Sequence, residues 1–139
     1  MTQTVKEVMT SNPVACDASA TAREAAKVML ERDTGAVIVE KDGKVCGIVT
    51  DRDIVVRAVA EGRAPEQVKL ADIASKDMTF LSPSDPVDKA VKMMREKSVR
   101  RLPVVEKGKP VGVVSIGDLA MERDGGSVLA GISAAPGNR

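Results

Sequence analysis

Histidine, tryptophan and tyrosine are absent from this 139-residue sequence, and Phe80 is its single aromatic residue. Without imidazole the chain has no side-chain base titrating near neutrality, no histidine metal ligand and no histidine pH switch. With one aromatic ring it cannot build the stacking platforms of single-strand-binding proteins. Neither charge sign dominates: 21 basic and 20 acidic residues leave a net charge of +1. That balance offers no electrostatic footprint for a nucleic-acid backbone. No apolar run approaches the ~18 residues of a membrane span, and the opening MTQTVKEVMT lacks the apolar stretch of a secretory signal. A cytoplasmic protein with no membrane or nucleic-acid partner is expected. Neither a GxxxxGK[ST] phosphate loop nor a nucleophile elbow is written in the chain, so no catalytic residue and no metal site is assigned. Cys16 and Cys46 lack metal-ligand spacing. They read as reduced, half-buried residues of apolar segments, with a mutual disulfide or redox switch as the alternative.

What the sequence does contain is a duplication. Apolar residues make up 43% and charged residues 29%, a balance suited to a globular core rather than disorder. A constant offset of 65 aligns residues 13–54 with 78–119 without a gap and gives 11 identities in 42 positions. Among them are Ala25/Ala90, Met29/Met94, Gly43/Gly108, Gly47/Gly112 and Asp53/Asp118. Such self-similarity outranks other signals in deciding a fold.

Each copy predicts the same order of elements. A short extended piece (PVACD, then TFLSP) precedes a helix, which opens on a Thr21–Glu24 capping box in the first copy. In the second copy Asp85 is the expected cap, with Pro86 at the first helical position. Ala22, Ala25, Ala26 and Met29, and likewise Val87, Ala90, Val91 and Met94, recur at helical spacing and predict one buried face each. Two β-rich runs joined by a Gly-containing turn then predict a hairpin. Pro103 and Pro110 cannot donate to a ladder and belong at strand ends or edges. A second helix starts near Asp53 or Asp118 and stops at Gly62 or at Gly125–Gly126. The fold class is therefore α+β, α/β-like in its crossover, as tandem β-α-β-β-α repeats. One repeat buries too little to stand alone, so sheet-to-sheet packing about a pseudo-twofold axis is expected. The expected domains are 4–62 and 69–126, with 127–139 a flexible tail. KEVM and LADIA form short helical lead-ins to the two copies.

GIVTDRD (47–53), GVVSIGD (112–118) and VRRLPVV (99–105), set in two β-α-β-β-α copies, resemble the paired cystathionine-β-synthase (CBS) domains known as a Bateman module. The stretch TDRDIVVRAVAEG is similar to the small stand-alone pairs of bacteria, and the resemblance covers about residues 4–126. It implies a non-catalytic regulatory or sensor module that binds an adenosine-containing nucleotide in clefts between the copies. It also implies a homodimer, and a regulated partner protein that the sequence does not name. No obligatory cofactor follows; AMP, ATP or another adenosyl ligand is the expected occupant.

Two readings stand open at the repeated phrase. Thr50 with Asp53, and Ser115 with Asp118, fit ordinary capping boxes. They equally fit a ribose-binding carboxylate beside a hydroxyl and free helix N–H groups, with Gly47 and Gly112 allowing close backbone approach. Arg100 and Arg101, absent from the first copy, are the expected phosphate contacts for the Thr50/Asp53 cleft by resemblance. Without it they complement a helix carboxyl end. The resemblance also suggests Met78, Thr79 and Phe80 for one base slot, and Pro13 and Val14 for the other. The competing function is a ligand-free CBS-fold interaction or stress-response protein.

Overall fold

The computed structural model describes residues 3–75 and 79–123. The chain divides into two compact units, Val14–Met78, and Met1–Pro13 together with Thr79–Arg139. The division does not follow the sequence repeat. Each lead-in belongs to the unit built on the other copy.

In the first unit, β2 (Ala15–Asp17) runs parallel to β3 (Ala36–Lys41), which pairs antiparallel with β4 (Lys44–Thr50). Between them lies α2 (Ala22–Arg32), whose N-cap Thr21 accepts the Glu24 N–H at 3.1 Å. Ala22, Ala25 and Met29 form its buried face, while Ala26, expected in that face, is exposed. As the central strand, β3 is covered on both sides, and Ala36, Val37, Ile38 and Val39 are all buried. An unbroken apolar run is what such a strand requires. Val37, Val39 and Val49 join the helix face in one core with Leu70 and Ile73 of α4 (Leu70–Ile73). This α4 is the LADIA lead-in. Leu70 N–H donates to Ala20 O at 2.9 Å and Ala22 N–H to Val68 O at 2.8 Å, so the segment is stitched to the start of α2.

The second unit repeats the plan. It contains α5 (Val87–Lys97), β5 (Arg101–Glu106), β6 (Lys109–Ser115) and α6 (Ile116–Arg123). Its lead-in comes from the N-terminus: α1 (Val5–Val8) and β1 (Thr10–Ser11), which pairs antiparallel with β6. Val5, fully buried, packs with Leu81, Val87, Ala90, Met94 and Val104. TFLSP forms no full strand; a single parallel bridge joins Leu81 to Val104. Nor does Asp85 cap α5. Pro86 occupies the N-cap, where it supplies no side-chain acceptor, and Asp85 instead accepts the Ser82 N–H at 2.8 Å. The cap's work passes to the N-terminal segment, whose Gln3 carbonyl accepts the Val87 N–H at 3.0 Å.

The duplication persists in backbone detail. The two-residue hairpin loops Asp42–Gly43 and Lys107–Gly108 have positive φ throughout, the conformation a type I′ turn requires. The ladder shifts between Val39 and Glu40, and again between Val104 and Val105. Pro103 lies inside β5, yet β5 is an edge strand. Its carbonyl accepts from Leu81 N–H at 2.9 Å on the side away from β6. A residue's N–H and C=O point the same way in a strand, so the missing donor costs no bond to β6. Gly62, with φ of +75°, ends the helical stretch of the first copy. Gly125–Gly126 and the tail lie outside the described residues.

Candidate functional site

Both repeated phrases fold into capping boxes. After β4, Thr50 is extended (φ −108°, ψ 164°) and caps α3 (Asp51–Ile54). Thr50 Oγ1 accepts the Asp53 N–H at 3.2 Å and donates to Asp53 Oδ2 at 3.0 Å, and Thr50 N–H reaches the same Oδ2 at 2.9 Å. In the second unit Ser115 Oγ accepts the Asp118 N–H at 3.1 Å, and Ser115 N–H donates to Asp118 Oδ2 at 2.9 Å. Local chemistry explains this, since orphan N–H groups at a helix start are met by a hydroxyl and a carboxylate three residues on. The backbone trace is also matched: Asp51 N–H donates to Gly35 O at 2.9 Å and Ile116 N–H to Arg100 O at 2.8 Å.

One carboxylate oxygen in each box is thereby committed. The Oδ1 atom takes no hydrogen bond among the described residues in either box. The two copies differ at that oxygen. Asp53 Oδ1 lies 3.8 Å from Arg57 Nε, and Arg57 Nη1 donates to Ile73 O at 3.2 Å. Arg57 sits in a π turn, Val55–Val59, closed by Ala60 N–H to Val55 O at 2.8 Å. Arg57 was no sequence candidate. Its spacing of four from Asp53 on a helical segment was the signal available.

The other candidates divide between the units. Thr50 and Asp53 lie in the first, as does Val14, which is half-buried against that core and accepts the Ile38 N–H at 2.8 Å. Ser115, Asp118, Thr79 and an exposed Phe80 lie in the second, with Pro13 at its boundary. Arg100 and Arg101 belong to that second unit, where the β5–β6 register sets Arg101 opposite Ser115. Met78 lies outside the described residues.

The glycine repeated in both phrases has a structural cause. A Cβ on Gly47 would sit 3.0 Å from Ser75 O and 3.1 Å from Ala74 Cβ. One on Gly112 would collide with the Met9 side chain and sit 3.0 Å from Thr10 O. In both units the close approach is made by the chain's own lead-in.

Cys16 and Cys46 are free and half-buried. They lie on β2 and β4, the outer strands flanking β3. Two strand spacings of roughly 4.8 Å exceed the Cα reach of a disulfide, about 6.8 Å. Burial, and secondarily the charge of Glu24, pushes the Cys16 thiol above its ordinary range. Among the described residues no cluster of three metal-ligating side chains occurs, and no helix is long and apolar enough to cross a membrane.

Compared with known proteins, residues 5–59 and 70–125 each match the CBS domain family. The chain belongs to that family, as a tandem pair. It is similar to the CBS domain-containing protein YhcV of Bacillus subtilis, at 34% identity over 133 residues, covering 93% of this chain and 94% of that protein. Among solved structures, a hexameric CBS-CP12 protein from bloom-forming cyanobacteria superposes with a TM-score of 0.82 at 30% identity, covering 89% of this chain and 70% of that one. The CBS domain pair of protein MJ0100, solved with 5′-methylthioadenosine and S-adenosyl-L-methionine, shares the fold at a TM-score of 0.81 and 22% identity, covering 91% of this chain and 100% of that one. The repeated Thr/Ser-x-x-Asp boxes thus sit in CBS repeats.

Proposed function

We propose that this CBS pair is a non-catalytic regulatory module that binds an adenosine-containing nucleotide and passes its occupancy to a partner protein. The observation that carries the reading is the capping box of each repeat, in which one Asp oxygen is fixed by backbone while the other takes no hydrogen bond among the described residues. A carboxylate held this way is a preorganised acceptor for a ribose diol. The adenosyl compounds bound by MJ0100 support the reading, because they show that this fold takes such ligands. In this reading Asp53 and Asp118 accept ribose hydroxyls, while Thr50 and Ser115 orient them. Arg100 and Arg101 meet phosphate through their forked donors. Thr79, Phe80, Pro13 and Val14 offer apolar and backbone groups to the base. AMP, ATP and S-adenosylmethionine are the ligands to try.

The chain is further proposed to self-associate as a homodimer. Val55, Val56 and Val59 are 57%, 42% and 55% exposed along one short helical stretch, and contiguous apolar surface marks interfaces. Leu119 of the second copy is buried and adds nothing to such a face, and the Met121 side chain lies outside the described residues.

One observation favours a second reading, a ligand-free interaction or stress-response protein. Gly47 and Gly112 are accounted for by the chain's own lead-ins and need no ligand. Calorimetric titration of AMP, ATP, NAD and S-adenosylmethionine into the purified protein decides between them. A saturable isotherm for at least one is expected; none at millimolar ligand would leave the second reading.

A further inference from the structure

We propose that Arg57 is a positioning residue that couples the Asp53 carboxylate to the α4 lead-in, so that whatever engages Asp53 is felt at Ala74 and Ser75. Where the engaging group is a ligand, this rests on the nucleotide reading above; the coupling itself does not. Arg57 bridges two groups of one compact unit: its Nε faces Asp53 Oδ1 at 3.8 Å, and its Nη1 caps Ile73 O at 3.2 Å. The Asp53 side chain is only 16% exposed, so its field is less screened than that of a surface carboxylate. Asp53 Oδ2 is already held by Thr50, so Oδ1 is the oxygen through which the carboxylate meets anything else.

At its other end Arg57 meets a helix of one turn. A four-residue helix leaves its last carbonyls without partners inside the helix, so the Arg57 bond replaces what α4 cannot supply itself. Just beyond Ile73, Ala74 N–H donates to Leu70 O at 2.8 Å and Ser75 N–H to Ile48 O at 3.0 Å. These two residues also lie over Gly47, where an added Cβ would stand 3.0 Å from Ser75 O and 3.1 Å from Ala74 Cβ, so the strand beneath leaves little room for them to shift. The π turn that carries Arg57 is a rare helical form that recurs at functional positions. The sequence makes the device specific to one repeat, because the counterpart of Arg57 at the offset of 65 is Glu122. A hydroxyl drawn to Oδ1 competes with Arg57 for the carboxylate, and the guanidinium's hold on Ile73 changes with it.

The test is amide hydrogen exchange on the full chain, without ligand, for wild type, Asp53→Asn, Arg57→Gln, Arg57→Lys and the Asp53→Asn/Arg57→Gln pair. Asp53→Asn and Arg57→Gln should each speed exchange at Ala74 and Ser75 by about two- to fivefold, the size of one partly exposed ion-pair contact. The double variant should be no faster than Arg57→Gln alone, and Arg57→Lys should recover part of the protection. Exchange at Ile38 and at Met9, the residue 65 before Ala74, should stay at wild-type rates, which separates the effect from global unfolding. Acceleration by Arg57→Gln but not by Asp53→Asn would overturn the proposal, since Arg57 would then cap α4 without reading Asp53. Unchanged rates in both would overturn it as well. With saturating adenosine, wild type should change its Ala74 and Ser75 rates and Arg57→Gln should not. Adenosine that shields Asp53 while leaving those rates untouched would also sink it. Adenosine that fails to bind at all counts against the nucleotide reading, and the ligand-free comparison still decides the role of Arg57.

Discussion

Gly47 and Ser75 are packed backbone against backbone: Ser75 O lies 3.0 Å from where a Cβ on Gly47 would stand. Ser75 N–H, in turn, donates to Ile48 O at 3.0 Å, beside that glycine. The contact has its counterpart between Gly112 and Thr10 in the other unit. Gly47→Ala and Gly112→Ala should each destabilise the protein by about 1–3 kcal/mol, the usual cost of forcing extra volume into a packed site. Thermal melting of both variants checks this; an unchanged melting temperature for Gly47→Ala would show that the lead-in yields freely.

The lead-ins should matter as core, not as decoration. Leu70 is fully buried with the first unit's core and Val5 with the second's. Leu70→Ala should cost about 2–5 kcal/mol, the range for large-to-small changes in cores. Urea denaturation measures it. A cost below 1 kcal/mol would mean that α4 contributes little to the unit in which it lies.

The two roles of the carboxylates are separable. Losing the carboxylate half of the capping box in Asp53→Ala or Asp118→Ala should lower stability by ~1 kcal/mol. Losing a ribose contact should cost a further 1.5–3 kcal/mol of ligand affinity, the range for charge-assisted bonds. Melting and calorimetry on the same variants report the two effects independently. Full ligand affinity in both variants would reduce these aspartates to caps.

For the arginines, the comparison is between ligands. In Arg100→Ala/Arg101→Ala, AMP affinity should fall more than adenosine affinity, because only AMP carries the phosphate. AMP binding to wild type should also weaken with salt, as partly exposed ion pairs are screened over ~8 Å at physiological ionic strength. Equal losses for the two ligands would leave the arginines a purely structural part.

Cys16 supplies a pH test. Because burial raises its thiol above the ordinary range, thiolate is scarce near neutrality and should appear only as the pH climbs past that range. Alkylation of Cys16 by iodoacetamide should therefore be slower in the folded protein than in urea at pH 8, with the gap narrowing at higher pH. Equal rates at pH 8 would show the thiol to be unprotected.

The duplicated phrase, the helix faces through Ala22, Ala25 and Met29, the hairpins at Gly43 and Gly108, and the capping chemistry at Thr50 and Ser115 were all legible in the sequence. They rest on periodicity, turn residues and spacings of three or four along the chain, which act locally whatever the chain does elsewhere. The tertiary structure alone decided which unit each lead-in completes, because Leu70 and Val5 are equally apolar wherever they pack. It also decided why Gly47 and Gly112 must lack a side chain, how Pro103 sits inside an edge strand, and that Gln3 rather than Asp85 serves the start of α5. Arg57 belongs with these. Its spacing from Asp53 is visible in the chain, but its bond to Ile73 joins segments that only packing brings together.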